Sequence, residues 1–156
     1  MNNINQTTTC QICARAIKAN TGIIAHHGYQ RPQYQGWQTA SCDGARQLPY
    51  EVSRDYIPVV IERYKMTAAN QEAMADEMLR TPPATITRFA MFNYQENETF
   101  DKPADFDAYK TVNSYTGMPG YENEFSKKYK AHRKNVKEIA AAIEFLQDRY
   151  NKWEAK

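Results

Sequence analysis

The chain has 156 residues, 42% of them apolar and eleven of them tyrosine, with a net charge of +2. That content excludes a wholly disordered chain, and no apolar run approaches the about 20 residues that span a bilayer. A charge this small does not argue for nucleic-acid binding by itself.

Residues 1–9 are polar and uncharged, and read as a tail. They match neither a secretory signal nor an amphipathic transit peptide, so the expected location is cytoplasmic. Residues 10–49 are a Cys/His-rich module. Residues 1–49 carry four basic side chains (Arg15, Lys18, Arg31, Arg46) against one acid, Asp43. All three cysteines fall within the first 42 residues. In a reducing compartment that clustering favours metal ligation over a disulfide.

Cys10-Gln-Ile-Cys13 turns the backbone tightly enough to place two thiolates on one metal. Zinc takes four soft or borderline ligands in a tetrahedron, and Cys3His is a common closed set. Cys10, Cys13, Cys42 and one histidine fill it. His26 and His27 compete for the fourth place. If Gly22 to Tyr29 is extended, their side chains point to opposite faces, so one of them meets the metal easily. A turn at Arg31-Pro-Gln-Tyr-Gln-Gly36 would return the chain through Trp37 to Ser41, giving a hairpin that delivers the second ligand pair. The module's large aliphatics are few (Ile12, Ile17, Ile23, Ile24, Leu48), and so small a unit generally requires a metal or disulfide. The competing interpretation is three buried free thiols beside two surface histidines.

Cys-x-x-Cys, then His27-Gly-Tyr29, then Cys42-Asp-Gly44 resembles a group of small, largely uncharacterised proteins of phages and mobile elements. The resemblance is clear over residues 10–57, including Leu48-Pro-Tyr-Glu-Val-Ser-Arg54, and general in the helical remainder. It implies a zinc-finger-like fold with His27 as the ligand. It implies no activity.

Residues 53–80 read as a helix stopped by Pro82-Pro83. Its apolar or small stripe runs Ile57, Ile61, Tyr64, Ala68, Ala75, Met78, interrupted by Thr67 and Gln71. Pro58 fits only near a first turn. Thr85 to Tyr94 reads as one strand. The aromatics that follow (Phe100, Phe106, Tyr109, Tyr115, Tyr121) imply an irregular insertion at 81–121 that packs down on something.

Residues 122–154 carry the strongest periodicity. Phe125, His132, Ile139, Leu146 and Trp153 recur every seven residues, and Tyr129, Val136, Ile143 and Tyr150 interleave with them as the second heptad position. Such a narrow seam needs a partner helix. An antiparallel hairpin with 53–80 is the first expectation, and a homodimer through residues 125–153 the second.

Lys127, Lys128, Lys130, Arg133, Lys134 and Lys137 are uninterrupted by acids, and Lys127, Lys130, Lys134 and Lys137 share one helical face. A solvated coiled-coil flank has this pattern, and so does a phosphate-binding surface. Arg15, Arg31 and Trp37, with Tyr29 and Tyr34, resemble the aromatic-basic mixtures that stack single-stranded nucleic acid. His26 after Cys-x-x-Cys also suggests an alternative, a treble-clef nuclease of the His-Asn-His type, which would need further ligands on a following helix.

These features predict an α+β fold. A zinc-bound β-hairpin module at 10–49 is joined to a helical domain at 50–156 built on an antiparallel, coiled-coil-like hairpin. The expected function is non-catalytic binding, with zinc as cofactor and nucleic acid or a host protein or nucleoprotein complex as partner. One concrete version is stoichiometric inhibition of a host defence complex.

Overall fold

The computed structural model describes residues 7–19, 22–28, 41–89, 97–113 and 118–154. In chain order the elements are β1 (Thr7–Thr9), β2 (Ala16–Lys18), α1 (Tyr56–Arg80), β3 (Thr85–Arg88), β4 (Glu98–Asp101), α2 (Ala108–Thr111) and α3 (Tyr121–Asn151). The architecture is α+β, with two separate two-stranded antiparallel sheets, β1–β2 and β3–β4. No helix among the described residues is long and apolar enough to cross a membrane. The chain divides into two compact units, Met1–Lys65 with Ala141–Lys156, and Met66–Ala140.

In the first unit, Thr7, Thr8 and Thr9 pair with Lys18, Ile17 and Ala16. The last three residues of the expected tail are therefore a strand, as β-branched side chains on a half-buried edge favour. The turn of this hairpin is the Cys-x-x-Cys segment itself. The hairpin expected from Gly22–Tyr29 and Trp37–Ser41 does not form over 22–28, which carries no strand. Gly22 and Gly28 adopt φ of +80° and +77° there and bend the chain out of an extended run. Residues 29–40 of that expectation lie outside the described residues.

Helix α1 starts at Tyr56, three residues later than the sequence suggests. Ser53 Oγ accepts from the Asp55 amide at 3.0 Å just before it. Pro58 falls in the first turn, where its missing N–H costs nothing. The core of this unit combines Cys10, Ile12, Ile24, Ile57, Val60, Ile61 and Leu146, bordered by Tyr64, Ile143 and Tyr150. The start of α1 thus packs on the end of α3. Trp153 lies past the end of α3, so the last heptad position is off the helix. Its indole still turns inward and donates to the Tyr50 carbonyl.

In the second unit, Thr85 and Ile86 pair with Asp101 and Phe100. Described strand structure ends at Arg88, and residues 90–94 of the expected longer strand lie outside the described set. Ile86, Ala108, Tyr121 and Phe125 form a core against which Met78, Leu79, Phe100, Phe106 and Val112 pack. Phe106 meets Tyr121 and Phe125 edge-on, with centroids 4.9 and 5.0 Å apart. The aromatics of the insertion therefore cover the junction of late α1 with early α3. Farther along the same pair, His132 contacts Gln71, so the two helices run antiparallel.

The α3 seam matches its periodicity. Phe125 and Leu146 are buried, and Tyr129, His132, Val136, Ile139, Ile143 and Tyr150 are half-buried. The lysines face the other way.

Candidate metal centre

The β1–β2 turn sets the first half of the site. The Cys10 amide donates to the Arg15 carbonyl at 3.0 Å, and the Ala14 amide to the Cys10 carbonyl at 3.2 Å. Ala14 takes φ +60°, a left-handed conformation uncommon outside glycine, to leave the turn. The second half comes from two irregular segments joined by the Cys42 amide donating to the His27 carbonyl at 2.8 Å. Ser41 Oγ locks this junction, donating to the His27 carbonyl at 3.0 Å and accepting from the His27 amide at 3.2 Å.

Cys10, Cys13, His27 and Cys42 each aim one donor atom at a common point, all within 4.8 Å of one another. Cys10 Sγ lies 4.0 Å from Cys42 Sγ, and Cys13 Sγ lies 3.2 Å from His27 Nε2. A tetrahedral ion with metal–sulfur bonds of about 2.3 Å and metal–nitrogen bonds of about 2.0–2.1 Å has ligand–ligand edges of roughly 3.5–3.8 Å. The four donors are therefore spaced to hold a metal ion with little rearrangement.

His27 rather than His26 completes the set. Its ring is buried, and Nδ1 donates to the Ala25 carbonyl at 2.8 Å. That bond fixes the tautomer and leaves the Nε2 lone pair for the metal. His26 is exposed, and its Nε2 accepts from Arg46 Nε at 2.8 Å.

Burial sets the protonation of the metal-free thiols. Burial pushes the Cys10 thiol upward, against amide donation to its sulfur from Cys13 and Ile12. Burial likewise pushes Cys42 up to about 12, against donation from the Gly44 amide. Without a metal these groups hold their protons. A bound dication reverses that preference and uses the same amides to stabilise thiolates.

Three residues beyond the ligands hold the site in place. Gln11, buried between the two cysteines, donates to the Leu48 carbonyl at 2.8 Å and accepts from the Tyr56 amide at 3.2 Å. It thereby caps α1 and ties the metal turn to it. Arg149, in the last turn of α3, donates to the carbonyls of Gln11 and Cys10 at 3.1 and 3.2 Å. Its guanidinium sits 3.9 Å above the Tyr50 ring. Gly44 lies so close to Cys10 that a Cβ there would stand 2.3 Å from the sulfur. The Cys42-x-Gly44 spacing signalled that last contact. No pattern signalled Arg149, which is 139 residues from Cys10.

The residues singled out for partner binding are distributed as follows. Arg15 is exposed beside the metal turn, while Arg31 and Trp37 lie outside the described residues. Lys127, Lys128, Lys130, Lys134 and Lys137 are all exposed along α3. Lys127 pairs with Glu124 at 2.8 Å and Lys134 with Glu138 at 3.6 Å, and Arg133 reaches Glu72 at 3.2 Å. Among the described residues, Lys128, Lys130 and Lys137 have no ion-pair partner.

One group of three or more His, Cys, Asp or Glu donors close enough to hold a metal is found among the described residues, and His26 is not in it. No protein-family model matches the chain, and neither a curated protein nor a solved structure is significantly similar to it.

Proposed function

We propose that the protein is a zinc-stapled, non-catalytic binding module that docks on nucleic acid, or on a nucleoprotein of a host cell, through the basic face of α3. The metal is zinc because three thiolates and one imidazole form a closed tetrahedral set of the kind that zinc occupies in structural sites. Four protein ligands leave no position for an activated water, and a site of net charge about −1 is a poor Lewis acid. The metal's task is therefore to hold the module together.

The observation that carries the docking reading is the exposed lysine row on α3, which points away from the half-buried seam. Lys127 to Lys137 spans ten helical steps, about 15 Å at 1.5 Å per residue, which is several phosphate spacings. Ion pairs neutralise part of the row, and the rest is available to displace counterions from a polyanion. The phage-like resemblance extends the partner to a host complex containing nucleic acid, with stoichiometric inhibition as the outcome.

The test combines elemental analysis with binding to labelled DNA and RNA across a salt series. One zinc per chain and an affinity that falls steeply with salt are expected. Lys130→Glu/Lys137→Glu should reduce that slope and weaken binding without changing zinc content. A salt-insensitive complex with a single host protein would replace nucleic acid as the partner. Metal-dependent cleavage lost in His26→Ala with zinc retained would establish the nuclease instead.

A further inference from the structure

We infer that the turn after Cys42 is a second Cys-x-x-Cys knuckle in which Ala45 holds the place of the missing thiolate, and that His27 has taken over the fourth corner of the site. The inference rests on the metal-site reading above and goes on to say how the site is built.

Two turns meet at the metal, and they share three features. Each begins at a ligand cysteine, Cys10 or Cys42. Each sulfur accepts from the amide two residues on, Ile12 for Cys10 and Gly44 for Cys42. The turns differ in how they close on the carbonyl of their own cysteine, the first from the amide four residues on (Ala14, 3.2 Å) and the second from the amide three residues on (Ala45, 2.9 Å). Each is left four residues after its cysteine through a left-handed residue that is not glycine, Ala14 at φ +60° and Arg46 at φ +65°. Neither side chain favours that region, so its recurrence at the same offset reflects a common backbone path.

The turns also face each other. The nearest atoms to a Cβ built on Gly44 are Cys10 Sγ at 2.3 Å and Ile12 Cγ1 and Cβ at 3.3 and 3.4 Å. The residue two after one cysteine thus packs on the residue two after the other, as a pseudo-two-fold arrangement of the two turns requires. In the first turn, the residue three after Cys10 is the ligand Cys13. The equivalent position in the second turn is Ala45, which is half-buried. An alanine there supplies no donor, and the imidazole of His27 enters from the neighbouring segment, held by its bond to Ala25.

This assignment makes a specific exchange possible. A thiol placed at position 45 should be able to ligate the ion in place of His27. The experiment compares four full-length proteins, namely wild type, His27→Ala, Ala45→Cys, and the two changes combined. Each is loaded with zinc, and with cobalt as a spectroscopic probe, then counted for bound metal by native mass spectrometry. Wild type should carry one ion, His27→Ala should lose it, and the combined variant should regain it with a stronger thiolate-to-cobalt charge-transfer absorption. In zinc-loaded Ala45→Cys, all four thiols should resist alkylation.

A combined variant that stays metal-free while wild type is loaded would overturn the inference and leave the zinc reading intact. Free alkylation of the new thiol in Ala45→Cys, with the other three protected, would overturn it as well, and this arm does not depend on the combined variant folding. Wild type without metal would overturn the zinc reading and the inference with it.

Discussion

The guanidinium of Arg149 donates through Nη2 to the carbonyl of Cys10 at 3.2 Å, while its Nε donates to the Gln11 carbonyl at 3.1 Å. The last turn of α3 thereby grips the backbone of the metal turn, and the Tyr50 ring beneath the guanidinium shields the contact. Arg149→Ala removes the donor to the Gln11 carbonyl and leaves the Cys10 carbonyl with only the Ala14 amide, a loss of about 1–3 kcal/mol where water cannot replace the bond to Gln11. Thermal melting should fall, and a chelator should strip the metal more readily. Arg149→Lys keeps the charge but not the fork, and is expected to recover only a minority of the loss.

Ligand assignment gives the second prediction. His27→Ala should lose the metal and His26→Ala should keep it, as read by metal content after dialysis against a mild chelator. The same protein should release its metal on acidification. Binding has to expel protons from three thiols, and burial favours the protonated form of Cys10 and Cys42 in the metal-free chain. Acid therefore competes with the ion, and affinity rises with pH across the neutral range. An affinity independent of pH would contradict thiolate ligation.

Gly44 is the position most sensitive to a single methyl group. Gly44→Ala forces backbone apart at a 2.3 Å contact with the Cys10 sulfur, and should abolish stable metal loading. Gly22→Ala is the control. Its Cβ meets nothing within 4 Å among the described residues, and there the φ of +80° opposes it, at a cost of about 1–2 kcal/mol. Side-by-side melting and metal counts distinguish the two.

Helix pairing is testable at Leu146, which is 1% exposed in the core beside Ile57, Val60 and Ile61. Leu146→Ala should cost about 2–5 kcal/mol by denaturant titration. Ile143→Asp, at a half-buried seam position, should unfold the first unit. A double-mutant cycle of His132→Ala and Gln71→Ala should return a coupling of about 0.5–1.5 kcal/mol for their 2.8 Å hydrogen bond.

Elements whose signal is local were legible in the order of residues. Cys10-x-x-Cys13 was legible because two thiolates at that spacing need only one tight turn. Helix α3 was legible because seven-residue repeats of apolar side chains report a buried seam directly, and its lysines fell on the opposite face for the same reason. The stop of α1 before Pro82-Pro83 was legible from proline stereochemistry. Tertiary structure alone decided what depends on residues distant in sequence. The polar positions that interrupt the two helical stripes, Gln71 and His132, turn out to be partners, and no periodicity in either helix could pair them. The choice between His26 and His27 rested on which ring could reach the thiols and give its other nitrogen to the Ala25 carbonyl. The grip of Arg149 on Cys10 depended on the end of α3 reaching the first turn of the chain. Periodicity records which face of an element is buried, whereas a hydrogen bond between elements exists only once packing has brought donor and acceptor within about 3 Å.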